Sequence, residues 1–180
     1  MLIFLPNFLL TRAGVLCNFM HVFTMNGGIN LEEVAMKREE IIKFANENKI
    51  CFMAINEKGM AHVRIMKLWF ADKSGFYFET LSPLDISRQI HSNPKVEVCF
   101  YNNPKDLKEG RELRIAGDIE FVTDAAILNK ARKERQYLGD LGEQPVESYI
   151  EVFKLSHGEA HFWRFKANVL EESVLDHMMF

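Results

Sequence analysis

The sequence predicts a mainly β (α+β) fold: one small, closed or nearly closed antiparallel sheet with flanking helices. Three observations predict it. About seven apolar or alternating runs are bounded by turn-type residues. The connections between them are hairpin-sized or hold a single helix, which favours antiparallel neighbours. The chain has 180 residues, 48% apolar and 26% charged, with no internal repeat and no linker rich in Gly, Ser or Pro, as for one soluble domain.

The elements follow in order. Residues 1–24 open with Met1-Leu2-Ile3-Phe4-Leu5, but Pro6, Asn7 and Arg12 interrupt the apolar run, and no basic region precedes it. This segment is expected to lie outside the core. Met25 and Met36 offer later starts, so it reads as an over-long gene start, with a membrane-associating tail as the rival reading. The folded domain is expected to span residues 30–166. Asn30 and Glu33 fit a helix N-terminus, Ile41, Ile42 and Ala45 continue its apolar face, and Asn46–Asn48 end it. Ile50–Ile55, Met60–Phe70 and Phe76–Thr80 read as a three-strand meander through the turns Asn56-Glu57-Lys58-Gly59 and Asp72-Lys73-Ser74-Gly75.

Ser82-Pro83-Leu84-Asp85 predicts a helix capped by Ser82, with Pro83 at the first helical position and Asp85 closing a capping box. Asn93-Pro94 ends it, because the residue before proline disfavours helix. Val96–Tyr101 is a strand, Asn102–Gly110 a polar loop, and Glu112–Val122 a further strand in which Gly117 marks a bulge or a close backbone approach. Thr123-Asp124 starts a helix carrying Ile127, Leu128, Ala131 and Leu138, and Gly139–Pro145 is a loop. Tyr149–Leu155 and Ala160–Phe165 are the last strands. The tail, residues 167–180, is polar enough for loop or a short helix.

Charge and composition exclude several function classes. A net charge of −3 and a pI near 6.1 leave no electrostatic footprint for nucleic acid. Cys17, Cys51 and Cys99 are odd in number and lack C-x-x-C spacing, which predicts free thiols in a reducing cytoplasm. Neither a nucleophile elbow nor a phosphate-cradling Gly loop occurs. His157-Gly158-Glu159-Ala160-His161 has two histidines four apart, but zinc ligation at that spacing needs a helix, and Gly158 among strand residues predicts a turn with no metal. His21, His62, His91 and His177 have no clustered partners along the chain.

Four stretches carry a family resemblance: His62-Val63-Arg64-Ile65-Met66-Lys67-Leu68-Trp69-Phe70, Gly75-Phe76-Tyr77-Phe78-Glu79-Thr80, Arg88-Gln89-Ile90 and Asn93-Pro94-Lys95-Val96-Glu97-Val98. In this order they resemble the central block of the FMN-binding split barrels related to pyridoxamine 5'-phosphate oxidase. Leu113-Arg114-Ile115-Ala116-Gly117 and Gly158-Glu159-Ala160-His161-Phe162-Trp163 are similar to that family's later strands. The resemblance implies an antiparallel split β-barrel and a homodimer holding FMN, with a deazaflavin or haem as the alternative ligand. It further implies that Arg64, Ile65, Met66 and Lys67 run along the flavin, with Arg64 reaching the phosphate. Glu79 and Thr80 would lie beside the ring edge or ribityl chain, and Ser82, Arg88 and Gln89 would surround the phosphate end. Trp163 matches an aromatic that the family brings close to the flavin, including from a second subunit. One stretch departs: Leu84-Asp85-Ile86 stands where the family often has basic residues, and a negative charge there repels phosphate. The implied function is an FMN-binding oxidoreductase with substrate and electron donor open. A non-catalytic flavin- or haem-binding carrier or sensor is the other class.

Overall fold

The computed structural model describes residues 31–135, 146–168 and 177–180. The readings of residues 1–24, Asn30, Leu138 and Gly139–Pro145 lie outside them. Helix α1 (Leu31–Glu47) buries Ile41, Phe44 and Ala45. Its C-terminal end is tied down by Asn46, whose side chain accepts from the Ala71 N–H (3.0 Å) and donates to the Ala71 carbonyl (2.8 Å). Asn48 closes the helix by donating to the Phe44 carbonyl through both its backbone N–H (3.0 Å) and its amide side chain (2.8 Å).

Strands β1 (Ile50–Glu57) and β2 (Met60–Lys67) form a hairpin closed by Lys58 and Gly59. Both turn residues have positive φ, the geometry that matches the twist of a two-residue hairpin. Strands β3 (Phe70–Asp72) and β4 (Gly75–Leu81) form a second hairpin, followed by helix α2 (Asp85–Ser92) and strand β5 (Lys95–Tyr101). Then come β6 (Arg111–Asp118), β7 (Glu120–Phe121), helix α3 (Ala125–Glu134), β8 (Ile150–Leu155), β9 (Gly158–Arg164), the short helix α4 (Phe165–Asn168) and β10 (Met178–Met179). Among the described residues the ten strands make two antiparallel sheets. One has six strands in the order β10-β9-β6-β5-β1-β2, the other four in the order β3-β4-β8-β7.

The expected single strand Met60–Phe70 is in fact two, and the expected meander is two hairpins in different sheets. The reason lies in Leu68 and Trp69, which are both buried although successive residues of a strand point to opposite faces. Leu68 enters the core between the sheets, whereas Trp69 joins Tyr77, Ala131, Ile150 and Val152 in a cluster beneath α3. Their amides diverge accordingly. Leu68 N–H donates to the Lys49 carbonyl (2.8 Å) and Trp69 N–H to the Tyr77 carbonyl (2.9 Å). The expected strand Glu112–Val122 breaks in the same way at Ile119, whose N–H turns to the Pro94 carbonyl (2.9 Å) while its side chain enters the core.

Between the sheets, Met53, Ile55, Val98, Phe100, Leu113 and Ile115 face Phe76, Phe78, Phe153 and Leu155. The Phe78 and Phe153 rings stack at 5.6 Å. Gly117 does mark a close approach: it pairs with Gly158, and a Cβ on it would lie 2.6 Å from the His157 carbonyl oxygen.

Two further expectations are corrected. Ser82 does not cap α2. Its N–H donates to the Tyr149 carbonyl (2.9 Å), which extends the β4–β8 pairing by one residue. The chain then turns, with Leu84 N–H on the Leu81 carbonyl (3.0 Å), and the helix starts at Asp85 behind an extended Leu84 with no side-chain cap. Asp85 is therefore the first helical residue, not the third. The tail also contributes more than loop or helix, because Met178 and Met179 pair with Ala160 and Glu159. Met178 is buried, and the Phe180 ring meets Phe76 edge-on at 5.4 Å.

Candidate functional site

Among the described residues, β2 is an edge strand of the six-stranded sheet, paired with β1. Beyond its free edge lies a cleft of about 610 Å³, lined by Arg64, Ile65 and Met66 from β2, Glu79, Thr80 and Leu81 from β4, and Leu84, Asp85 and Ile86 at the start of α2. Five of the residues expected at a flavin thus come together here: Arg64, Ile65, Met66, Glu79 and Thr80. Lys67, Ser82 and Trp163 are not in its lining. Trp163 lies on a separate groove of about 420 Å³ with Phe52, Cys99, Tyr101, Glu112 and Phe165.

Arg88 and Gln89 reach the cleft through a network. Gln89 is buried, accepts from Arg64 Nη2 through Oε1 (3.2 Å) and donates from Nε2 to Glu57 Oε2 (2.9 Å), so it holds the Arg64 guanidinium in place. Arg88 pairs with Glu57 across 31 residues and with Asp85 one helical turn back (3.3 Å). His62 stands 3.7 Å from the same Glu57 carboxylate. Hydrogen bonds from Arg88 and then Gln89 pull the Glu57 carboxyl down to about 2.

Glu79 has a different environment. One oxygen is ion-paired with Arg135 at the end of α3, while Oε1 is buried without a hydrogen-bond partner. Burial pushes the Glu79 carboxyl above its usual range, against the opposing pull of the Arg135 guanidinium. At α2 the N–H groups of the first turn have no acceptor within the helix, and no side chain caps them. The cleft therefore offers a planar cation and the positive end of a helix to an anion, with Glu79 in its wall and Glu79 Oε1 shielded from solvent. This donor set fits a phosphorylated, ring-bearing ligand, with Asp85 as the one element against it.

Among the described residues Cys51 and Cys99 are free thiols. Burial, aided by the nearby Cys99, pushes Cys51 up to about 12, and burial followed by the Glu112 charge pushes Cys99 to about 11. Among the described residues no helix is long and apolar enough to cross a membrane.

The sequence pattern of the pyridoxamine 5'-phosphate oxidase family matches residues 38–164, well over half of the chain. The chain belongs to that family. Over 90 residues it is 31% identical to the pyridoxine/pyridoxamine 5'-phosphate oxidase of Rhizobium johnstonii, a match covering 50% of this chain and 42% of that protein. The matched stretch is thus less than half the length of this curated relative. Among solved structures it is similar to a NimC/NimA family protein from Clostridium acetobutylicum, with a TM-score of 0.60 and 20% identity over 81% of this chain and 94% of that one. It is also similar to a haem-binding protein from Mycobacterium smegmatis, with a TM-score of 0.59 and 12% identity over 78% of this chain and 56% of that one. At these identities the likeness shows the fold, an antiparallel split β-barrel whose two sheets do not close.

The sequence reading missed Glu57 and Arg135, whose partners lie 31 and 56 residues away. Only their charge in otherwise turn-like or helical surroundings could have marked them. Glu57 also gives the fold a pH signature. A carboxyl held below its ordinary value of 4.5 contributes stability that is full above that value and is lost as pH falls towards about 2. Chemical-denaturation midpoints of wild type should fall across that window, and Glu57→Gln should flatten this part of the acid limb. Parallel acid limbs for the two proteins would contradict the assignment.

Proposed function

We propose that this protein binds FMN in the cleft between β2, β4 and the start of α2, and that it works as a flavin-dependent oxidoreductase. The observation that carries the reading is the convergence of Arg64 and the uncapped α2 N-terminus on one cleft, with Glu79 in its lining. Arg64, oriented by Gln89, would hold the phosphate, and the first-turn N–H groups of α2 would share it. Thr80 and the Ile65–Met66 backbone would flank the ribityl chain and ring, and Glu79 Oε1 would accept from a ring N–H. When bound, FMN supplies hydride and electron transfer. The described lining includes no histidine, which favours a flavin over haem. Free Cys51 and Cys99 suit the reducing cytoplasm expected for such an enzyme.

The reading includes a homodimer. Ile50, Phe52, Val63 and Ile65 are 55%, 45%, 61% and 71% exposed, and the β1–β2 register sets Phe52 directly opposite Ile65 on the outer face of the sheet. A contiguous apolar surface of this kind marks an interaction site. Ile65 also lines the cleft, and the groove holding Trp163 begins at Phe52. A second copy covering this face therefore brings the family's flavin-side aromatic into the same interface. Light scattering should give twice the chain mass, and Phe52→Glu should shift the protein towards monomer. A wild type that is monomeric at micromolar concentration contradicts the dimer.

Flavin binding is tested by the spectrum and mass of what co-purifies, followed by titration of three variants. Flavin bands support the reading, whereas a haem or deazaflavin spectrum overturns it. Arg64→Ala removes a hydrogen bond to a charged group, worth ~1.5–3 kcal/mol, so FMN affinity should fall roughly ten- to hundredfold. Lys95→Ala, which breaks an exposed pair with Asp118, should leave it unchanged. Asp85→Lys should tighten FMN and leave riboflavin, which has no phosphate, unaffected. Equal FMN affinity in Arg64→Ala and Lys95→Ala removes Arg64 from the site. Anaerobic reduction by NADH or NADPH separates an enzyme from a carrier.

A further inference from the structure

Along β9, Glu159 and His161 are two residues apart and share one face, while Ala160 between them is buried. Strand β10 runs antiparallel beside β9, with Met178 opposite Ala160 and Met179 opposite Glu159. One step further along the same register sets His177 opposite His161. The side chains meet as this geometry requires. The two imidazole centroids are 4.4 Å apart with their planes inclined by 35°, and His177 Nδ1 contacts Glu159 Oε1. One nitrogen of each histidine and one carboxylate oxygen all lie within 4.8 Å of one another.

We infer that Glu159, His161 and His177 form a binding site for a divalent first-row transition-metal ion, which clasps the C-terminal strand to β9. The donor set selects the class. Two imidazoles and one carboxylate suit Zn²⁺, Cu²⁺, Ni²⁺ or Fe²⁺, whereas Mg²⁺ and Ca²⁺ prefer oxygen donors alone. Ligand bonds of ~2.0–2.2 Å require the three atoms to close to roughly 3.3 Å from one another, which side-chain rotation on a half-exposed surface supplies. The Glu159 and His177 side chains are 45% and 48% exposed, so the remaining coordination positions open to water.

A clasp at this site would secure the C-terminal strand. The C-terminal strand is held by two residue pairs and by the Phe180 N–H on the Gly158 carbonyl (3.1 Å), yet it delivers Met178 and Phe180 to the core. An ion that bridges His177 to Glu159 and His161 binds only the docked strand, so its binding free energy adds to docking.

The test uses the full chain, made without a polyhistidine tag, and Zn²⁺ as the probe in competition with a chromophoric chelator. Wild type should bind one Zn²⁺ per chain at this site. His161→Ala and His177→Asn should each weaken it at least about tenfold, since loss of even a supporting residue typically costs that much. His91→Ala should not. In wild type, Zn²⁺ should slow amide exchange at Met178–Phe180, and in His161→Ala it should not. X-ray absorption of the wild-type Zn²⁺ complex should show two imidazole ligands, a readout independent of any variant. Equal Zn²⁺ affinity in wild type and in the His161→Ala, His177→Asn double variant, or a spectrum without two imidazoles, overturns the assignment.

Discussion

The free edge of β2 is the feature on which the rest of this molecule depends. A barrel abolishes its edges by closing, and an unpaired edge strand is a liability that a protein must cover or use. Here the chain leaves the six-stranded sheet at Leu68 and enters the four-stranded sheet at Trp69, each residue drawn into a different apolar cluster, and β2 is an edge among the described residues. Ile119 repeats the crossing between β6 and β7. The gap left along β2 is the cleft, and the turn after β4 sets the start of α2 across its mouth.

The charges around that gap are arranged in opposed pairs. Glu57 pairs with Arg88, while Gln89 links the same carboxylate to Arg64. Arg135 neutralises one oxygen of Glu79, and the other is buried without a hydrogen-bond partner among the described residues. Arg64 is thereby the cation presented among the described lining residues, opposite an Asp85 whose charge Arg88 offsets. Membership of the pyridoxamine 5'-phosphate oxidase family accounts for the scaffold.

Much of the scaffold was legible because local chemistry decides it. Lys58-Gly59 and Ser74-Gly75 mark the hairpins, Asn93-Pro94 stops α2, and Asp124 caps α3 by accepting from the Ile127 N–H (3.0 Å). The sheet crossings were not legible, because a continuous run of strand-forming residues reads as one strand until two separate clusters compete for successive side chains. Ser82 carried a strong capping signal, yet its N–H was committed to the partner strand. Met178 and Met179 form a strand only because β9 supplies the pairing, and the same pairing sets His177 against His161, which the sequence separates by 16 residues. In the candidate site, Arg64, Glu79 and Thr80 came from the family resemblance. The partners that orient and charge them are long-range contacts that no spacing rule contains.

A crystal structure of the full chain grown with FMN tests the central claim most directly. The account places the ring between the Ile65–Met66 edge of β2 and Thr80, with a ring N–H on Glu79 Oε1 and the phosphate between Arg64 and the first turn of α2. A flavin bound elsewhere, or a cleft that stays empty at saturating FMN, would contradict it.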